Sequence, residues 1–110
     1  IAISSSSTAY NTSSDYRLKQ NVSYTWDATT RLKQLKPCRF NFISNPSNTV
    51  DGFLAHEVSS IVPESIHGEK DAVDSEGNII PQGIDHSKLV PLLVKTIQEL
   101  EARITALESK

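Results

Sequence analysis

The chain is expected to fold as an α+β domain: a small antiparallel sheet with short helices, followed by a long C-terminal helix that forms a coiled coil. Three observations lead there. Apolar and polar residues alternate over 38–43, with Cys38, Phe40 and Phe42 on one side and Arg39 and Asn41 on the other, the pattern of a strand with one buried face. Turn-forming clusters, Ser44-Asn45-Pro46-Ser47-Asn48 and Ser75-Glu76-Gly77-Asn78, separate short apolar runs. Near the end, Val90, Leu93, Ile97, Leu100, Ile104 and Leu107 recur in alternating steps of three and four, a heptad with β-branched residues at a and Leu at d.

In order along the chain, residues 1–13 are small and hydroxyl-rich, with no apolar face to bury. They are expected to be a linker or the end of a β-rich body upstream. Residues 22–35 are expected to be a helix, capped at Ser23 or Thr25, with Asp27 in its first turn and Trp26, Leu32 and Leu35 buried. Pro37 ends it. The strand at 38–43 turns back through 44–48 into a second, antiparallel strand over 50–55, where Gly52 marks a bulge or a close backbone approach. Residues 56–62 form a short helix stopped by Pro63. Residues 75–78 make a hairpin loop, and Ile79, Ile80 and Ile84 form a return strand kept at a sheet edge by Pro81. The last helix starts at Ser87 and carries Pro91 in its opening turn, where a missing N–H costs least. Arg103 at g and Glu108 at e are set for an interchain ion pair. Three heptads are short for a coiled coil, so the globular part is expected to help hold it. The division is therefore 1–13, the upstream end; 14–86, the globular part; and 87–110, the coil helix.

The chain has 110 residues, enough for one domain with a limited core, so self-association would help it. A net charge of −2 disfavours a nucleic-acid partner. There is no apolar run of about 18 residues to cross a membrane, and no signal-peptide pattern at the Ile1 end. Opening on Ile1 rather than Met, the chain is expected to be a piece of something longer. The single Cys38 rules out an internal disulfide framework. His56, His67, His86 and Cys38 fall in no metal-ligand spacing, so neither metal nor cofactor is expected. The acidic residues Glu64, Glu69, Asp71, Asp74 and Glu76 read as a solvated face.

The stretch Ser13-Ser14-Asp15-Tyr16-Arg17-Leu18-Lys19 can carry chemistry. Ser14 is a candidate nucleophile, and a neutral lysine, Lys19, can serve as its base in place of histidine. A spacing of five puts the two side chains apart on either a helix or a strand. They meet only if a turn lies between them or if the lysine comes from another copy of the chain. By spacing alone the stretch reads as a solvated turn with a helix cap. Lysine must shed its proton to act as a base, which takes burial or neighbouring cations. Arg17 is near enough in sequence to help; Asp15 opposes it and is assigned to positioning or capping.

Four motifs in register carry a resemblance: S-S-D-Y-R-L-K-Q-N at 13–21, L-K-P-C-R-F-N-F at 35–42, G-F-L-A-H-E-V at 52–58, and S-K-L-V-P-L-L-V-K-T-I-Q-E-L at 87–100. Together they resemble the C-terminal intramolecular chaperone, or peptidase S74, domain of phage tail spikes and fibres. The resemblance implies a homotrimer that helps fold the upstream fibre segment of the same chain, then releases itself by cutting the Ser13–Ser14 bond. Ser14 would be the nucleophile and Lys19 its partner, in a serine endopeptidase acting once on itself. It also implies a core that includes Leu18, Phe42 and Phe53, and a protein that is virion-associated before cleavage and in the host cytoplasm during assembly. The trimer comes from the resemblance alone, since the a/d pattern leans toward a dimer. The competing reading is a trimerisation module without chemistry.

Overall fold

A computed structural model describes residues 13–110, so the expected linker or fibre end at residues 1–12 lies outside the described residues. A 3-10 helix at Tyr16–Leu18 leads, through a stretch without regular structure, to α1 (Thr29–Leu32). This corrects the expectation of a helix over 22–35, because only four of those residues are α-helical. Val22, Ser23, Tyr24, Thr25 and Trp26 are β-branched, aromatic or short polar residues, all weak helix formers. Ser23 bonds locally with Thr25 and caps nothing. Asp27 accepts from the Thr30 N–H and hydroxyl, and so marks the start of the helix instead of sitting inside it.

Beyond Pro37, β1 (Cys38–Asn41) pairs antiparallel with β2 (Thr49–Gly52), Phe40 standing opposite Val50. The expected turn joins them, with Asn45 N–H on the Phe42 carbonyl at 2.9 Å. Gly52 is a close approach rather than a bulge. The Phe40 ring lies over it, and a Cβ there would sit 3.0 Å from Cε2. A short helix α2 (Ala55–Val58) and a 3-10 turn at Pro63–Ser65 follow. Then β3 (Ile66–His67) pairs antiparallel with β4 (Gly83–Ile84). The hairpin loop between them is held by Asp74, whose carboxylate accepts from Glu76 N–H and Asn78 N–H at 2.8 and 2.9 Å. Gly77 adopts φ 83°, which costs glycine nothing.

The chain closes with α3 (Val90–Glu108), entered through a 3-10 turn that Asp85 caps by accepting from Ser87 N–H at 3.0 Å. The buried core consists of Ala28, Val58, Val62, Leu89 and Leu92, with Leu32, Leu35, Phe53, Ile61, Ile66 and Ile84 packed around it. It sits between α1, α2 and the start of α3, not on the β1–β2 sheet. That corrects the expected burial of Trp26, Phe42 and Leu18, while Phe53 packs against the core as expected. Phe42 is 62% exposed, Trp26 is exposed as well, and Leu18 also faces solvent. Two four-residue strands make a small sheet, and the described aromatic contact on it is Phe40 with Phe42, edge to face at 5.2 Å.

α3 shows two different faces. Leu92 and Thr96 are buried against the body. The heptad residues Val90, Leu93, Ile97, Leu100, Ile104 and Leu107 are all exposed. With about 100° between successive residues, the heptad stripe is centred roughly a quarter turn from the buried one. The fold is thus an α+β arrangement of two small antiparallel sheets, short helices and a long C-terminal helix. That helix carries one apolar stripe turned inward and a second that is exposed among the described residues.

Candidate functional site

Asp15 organises the site. Its extended backbone puts its carboxylate before the first turn, where it accepts from the Arg17 N–H at 2.8 Å and caps the 3-10 helix Tyr16–Leu18. Asp is well suited to this because its short side chain reaches an N–H two residues on. The turn closes with Leu18 N–H on the Asp15 carbonyl and Lys19 N–H on the Tyr16 carbonyl, both at 3.1 Å. Lys19 caps the end of the turn in an extended conformation, and Asn21 beyond it takes φ 54°, a left-handed conformation that asparagine tolerates.

The turn solves the spacing problem. Five extended residues would span about 17 Å. Wound through one 3-10 turn, the same five bring Lys19 Nζ within 2.9 Å of Ser14 Oγ, and the amine donates to the hydroxyl. The two meet within one chain. The same separation serves a proton moving the other way, from the hydroxyl to a neutral amine.

Arg17 turns back onto Asp15, giving Nε to Oδ1 at 3.0 Å and Nη2 to Oδ2 at 2.9 Å. This side-chain pairing, helped by the Arg17 N–H, holds the Asp15 carboxyl below the usual carboxylate range and raises the guanidinium in turn. Arg17, near enough in sequence to lend Lys19 a positive charge, is thus also engaged with Asp15. Its charge is paired with Asp15, so the two together form a neutral brace for the turn. Ser13, Ser14 and Lys19 are all exposed, and the pair lies on open surface.

Two residues that the sequence did not single out hold the stretch just beyond this turn. Lys95 Nζ donates to the Tyr24 carbonyl at 2.9 Å. The Glu99 carboxylate accepts from Ala28 N–H at 3.0 Å, from Thr29 N–H at 2.8 Å and from the Thr29 hydroxyl. Ala28, at the N-cap of α1, offers no side-chain cap, so Glu99 supplies it from α3. These bonds hold Glu99 below the usual carboxylate range, the Thr29 hydroxyl being the largest cause. Glu99 and Lys95 sit off the a and d positions and read in sequence as a solvated face. The one hint was the Leu92-Leu93 doublet, which puts more apolar surface on the helix than a single seam needs.

The remaining candidates stand apart. His56 lies in α2 and His67 in β3, while His86 opens the last 3-10 turn beside the Phe53 ring, 6.3 Å between centroids. Among the described residues no three His, Cys, Asp or Glu side chains group to hold a metal ion. No helix among them is long and apolar enough to cross a membrane.

The family model described as the chaperone of endosialidase, Peptidase_S74, matches residues 14–67. No curated protein matches the chain. The matched segment opens at Ser14 and takes in the Asp15-capped turn, α1, the β1–β2 pair, α2 and β3. Over that segment, just under half of its length, the chain is similar to the Peptidase_S74 family, the chaperones of endosialidase.

Proposed function

We propose that this chain is an intramolecular chaperone that trimerises, assists folding of the upstream fibre or spike segment, and then releases itself by cutting the Ser13–Ser14 bond. The observation that carries the chemistry is the 2.9 Å contact between Lys19 Nζ and Ser14 Oγ, made across a turn built for it. The family supplies the chaperone role.

The steps balance within the chain. Ser14 Oγ attacks the carbonyl carbon of Ser13 as Lys19 Nζ takes the hydroxyl proton. The tetrahedral intermediate collapses with loss of the Ser14 nitrogen, which receives that proton, and the acyl group is left as an ester on Oγ. Water then hydrolyses the ester, giving a carboxylate on Ser13, a free amine on Ser14 and the hydroxyl restored. Attack on the adjacent carbonyl is intramolecular, so proximity supplies much of the acceleration. Each chain acts once.

Trimerisation fits the same reading. The heptad stripe of α3 is exposed among the described residues, and a contiguous apolar stripe of that kind marks an association surface. A neighbouring chain laid over the exposed dyad would remove water from Lys19 and favour its neutral form. The cut would then follow assembly. Such a protein is carried on the virion until cleavage and is assembled in the host cytoplasm.

The exposure of both Ser14 and Lys19 favours a second reading, a trimerisation module without chemistry. Mass measurement of freshly expressed protein carrying its upstream body separates the two. Wild type is expected as two fragments divided at Ser13–Ser14, and Ser14→Ala and Lys19→Ala as intact chains. Loss of cleavage with Ser14→Ala but not with Lys19→Ala would move the base elsewhere. An intact wild type would leave the trimerisation module.

A further inference from the structure

Among the described residues, every hydrogen bond made by residues 14–23 stays within that stretch or reaches only to Thr25. Nearly all of these residues face solvent, Asp15 being half-buried. The dyad turn is therefore a locally bonded unit whose place on the body depends on whatever holds the chain next to it. The first long-range bonds downstream are Lys95 to the Tyr24 carbonyl and Glu99 to Ala28 and Thr29, both from α3 and spanning 71 and 70–71 residues. Lys95 and Glu99 are one helical turn apart, so one face of α3 grips the segment at two points. Trp26 lies between those points, under the Arg31 guanidinium at 5.9 Å from the ring centroid. It shares a groove with Tyr24, Val90, Val94 and Lys95.

We infer that Lys95 and Glu99 are positioning residues for the self-cleavage, docking the segment that carries the Ser14–Lys19 turn onto the same helix that presents the heptad stripe. The inference rests on the cleavage reading above and adds its regulation. The dyad turn is set in place only when α3 is formed and seated, which links the cut physically to the helix that assembles the protein. Neither residue touches the reacting atoms. Each acts on the geometry of the turn, where a displacement of about 1 Å can cost on the order of a hundredfold in rate.

The test uses the chain with its upstream body. It compares wild type, Lys95→Ala, Lys95→Arg and Glu99→Ala by rate of fragment release and sedimentation, and reads Trp26 emission in the 110-residue chain, where it is the only tryptophan. Lys95→Ala and Glu99→Ala are expected to keep the wild-type oligomer, to shift Trp26 emission to the red, and to slow release about ten- to a hundredfold. The loss should be equal at every pH, with the midpoint of the rate–pH profile unmoved, because the two residues supply geometry and not the proton acceptor. Lys95→Arg, which keeps a donor, is expected to restore both emission and rate. Release at the wild-type rate from a variant whose Trp26 emission has shifted overturns the inference alone. A wild type that releases nothing overturns the cleavage reading and the positioning role with it.

Discussion

The two stripes of α3 make opposite demands, and a pair of substitutions separates them. Leu92 is 1% exposed and packs into the core with Val58, Val62 and Leu89. Leu92→Ala removes a fully buried side chain from a core of five buried apolar residues and should cost about 2–5 kcal/mol. A domain of this size holds only about 5–15 kcal/mol in all, so the loss is a large share of it. Melting should fall by upward of about 8 °C, since each kcal/mol moves a small domain by about 4–8 °C. Leu100, by contrast, is 41% exposed in the single chain. Leu100→Ala should cost the isolated fold no more than about 0.5 kcal/mol, the range for surface changes. Its effect belongs to assembly. Leu100→Asp would bury an unpaired carboxylate from every chain in the seam, at several kcal/mol each, and should dissociate the oligomer. The assay is thermal melting over a range of protein concentrations, read beside sedimentation. Leu92→Ala should lower the melting temperature while keeping its dependence on concentration; Leu100→Ala should weaken that dependence. Equal effects of the two alanine substitutions on melting would refute the division into inward and outward stripes. A wild type that sediments as a monomer at micromolar concentration, or a Leu100→Asp protein that keeps the wild-type oligomer, would refute the assignment of the outward stripe to self-association.

Two further outcomes follow from the geometry. The folded-state carboxyl of Asp15 is lowered by Arg17, so its bracing of the turn is fully present above the ordinary carboxylate pKa of about 3.9 and is lost as pH falls through the lower folded value. The protection of the Arg17 and Leu18 amides, taken against the intrinsic exchange rate at each pH, should therefore hold across neutral and mildly acid pH and fall only below that range; loss of protection near pH 6 would contradict the brace. Phe42→Ala removes an exposed ring whose described aromatic contact is the edge-to-face one with Phe40, so it should cost about 0.5–1.5 kcal/mol in the isolated chain instead of the about 3–5 expected of a core aromatic. Chemical denaturation of the dissociated protein measures this directly, and a cost of core size would put Phe42 back among the packed residues.

What the sequence determined by itself was whatever adjacent residues settle among themselves. The alternation of Cys38, Phe40 and their neighbours, the turn that follows, the loop around Gly77 and the heptad of α3 are all local patterns, and each lies where it was expected. The candidate dyad belongs to this class. A serine and a lysine five apart needed a turn between them, and Asp15 capping the intervening residues is a bond between near neighbours. Tertiary structure decided everything that depends on what packs against what. Trp26 and Phe42 carry the composition of a core, but among the described residues both remain exposed. The helix expected at 22–35 shrank to four residues because its early residues are poor helix formers, and because its start is fixed by Glu99, a charged side chain seventy positions away. A carboxylate on the outer side of a heptad looks in sequence like any other solvated charge. Only the approach of α1 supplies the unpaired N–H groups that give it a partner, and that approach is set by burial of Leu92, Leu89 and Ala28 in one core, which no local spacing encodes.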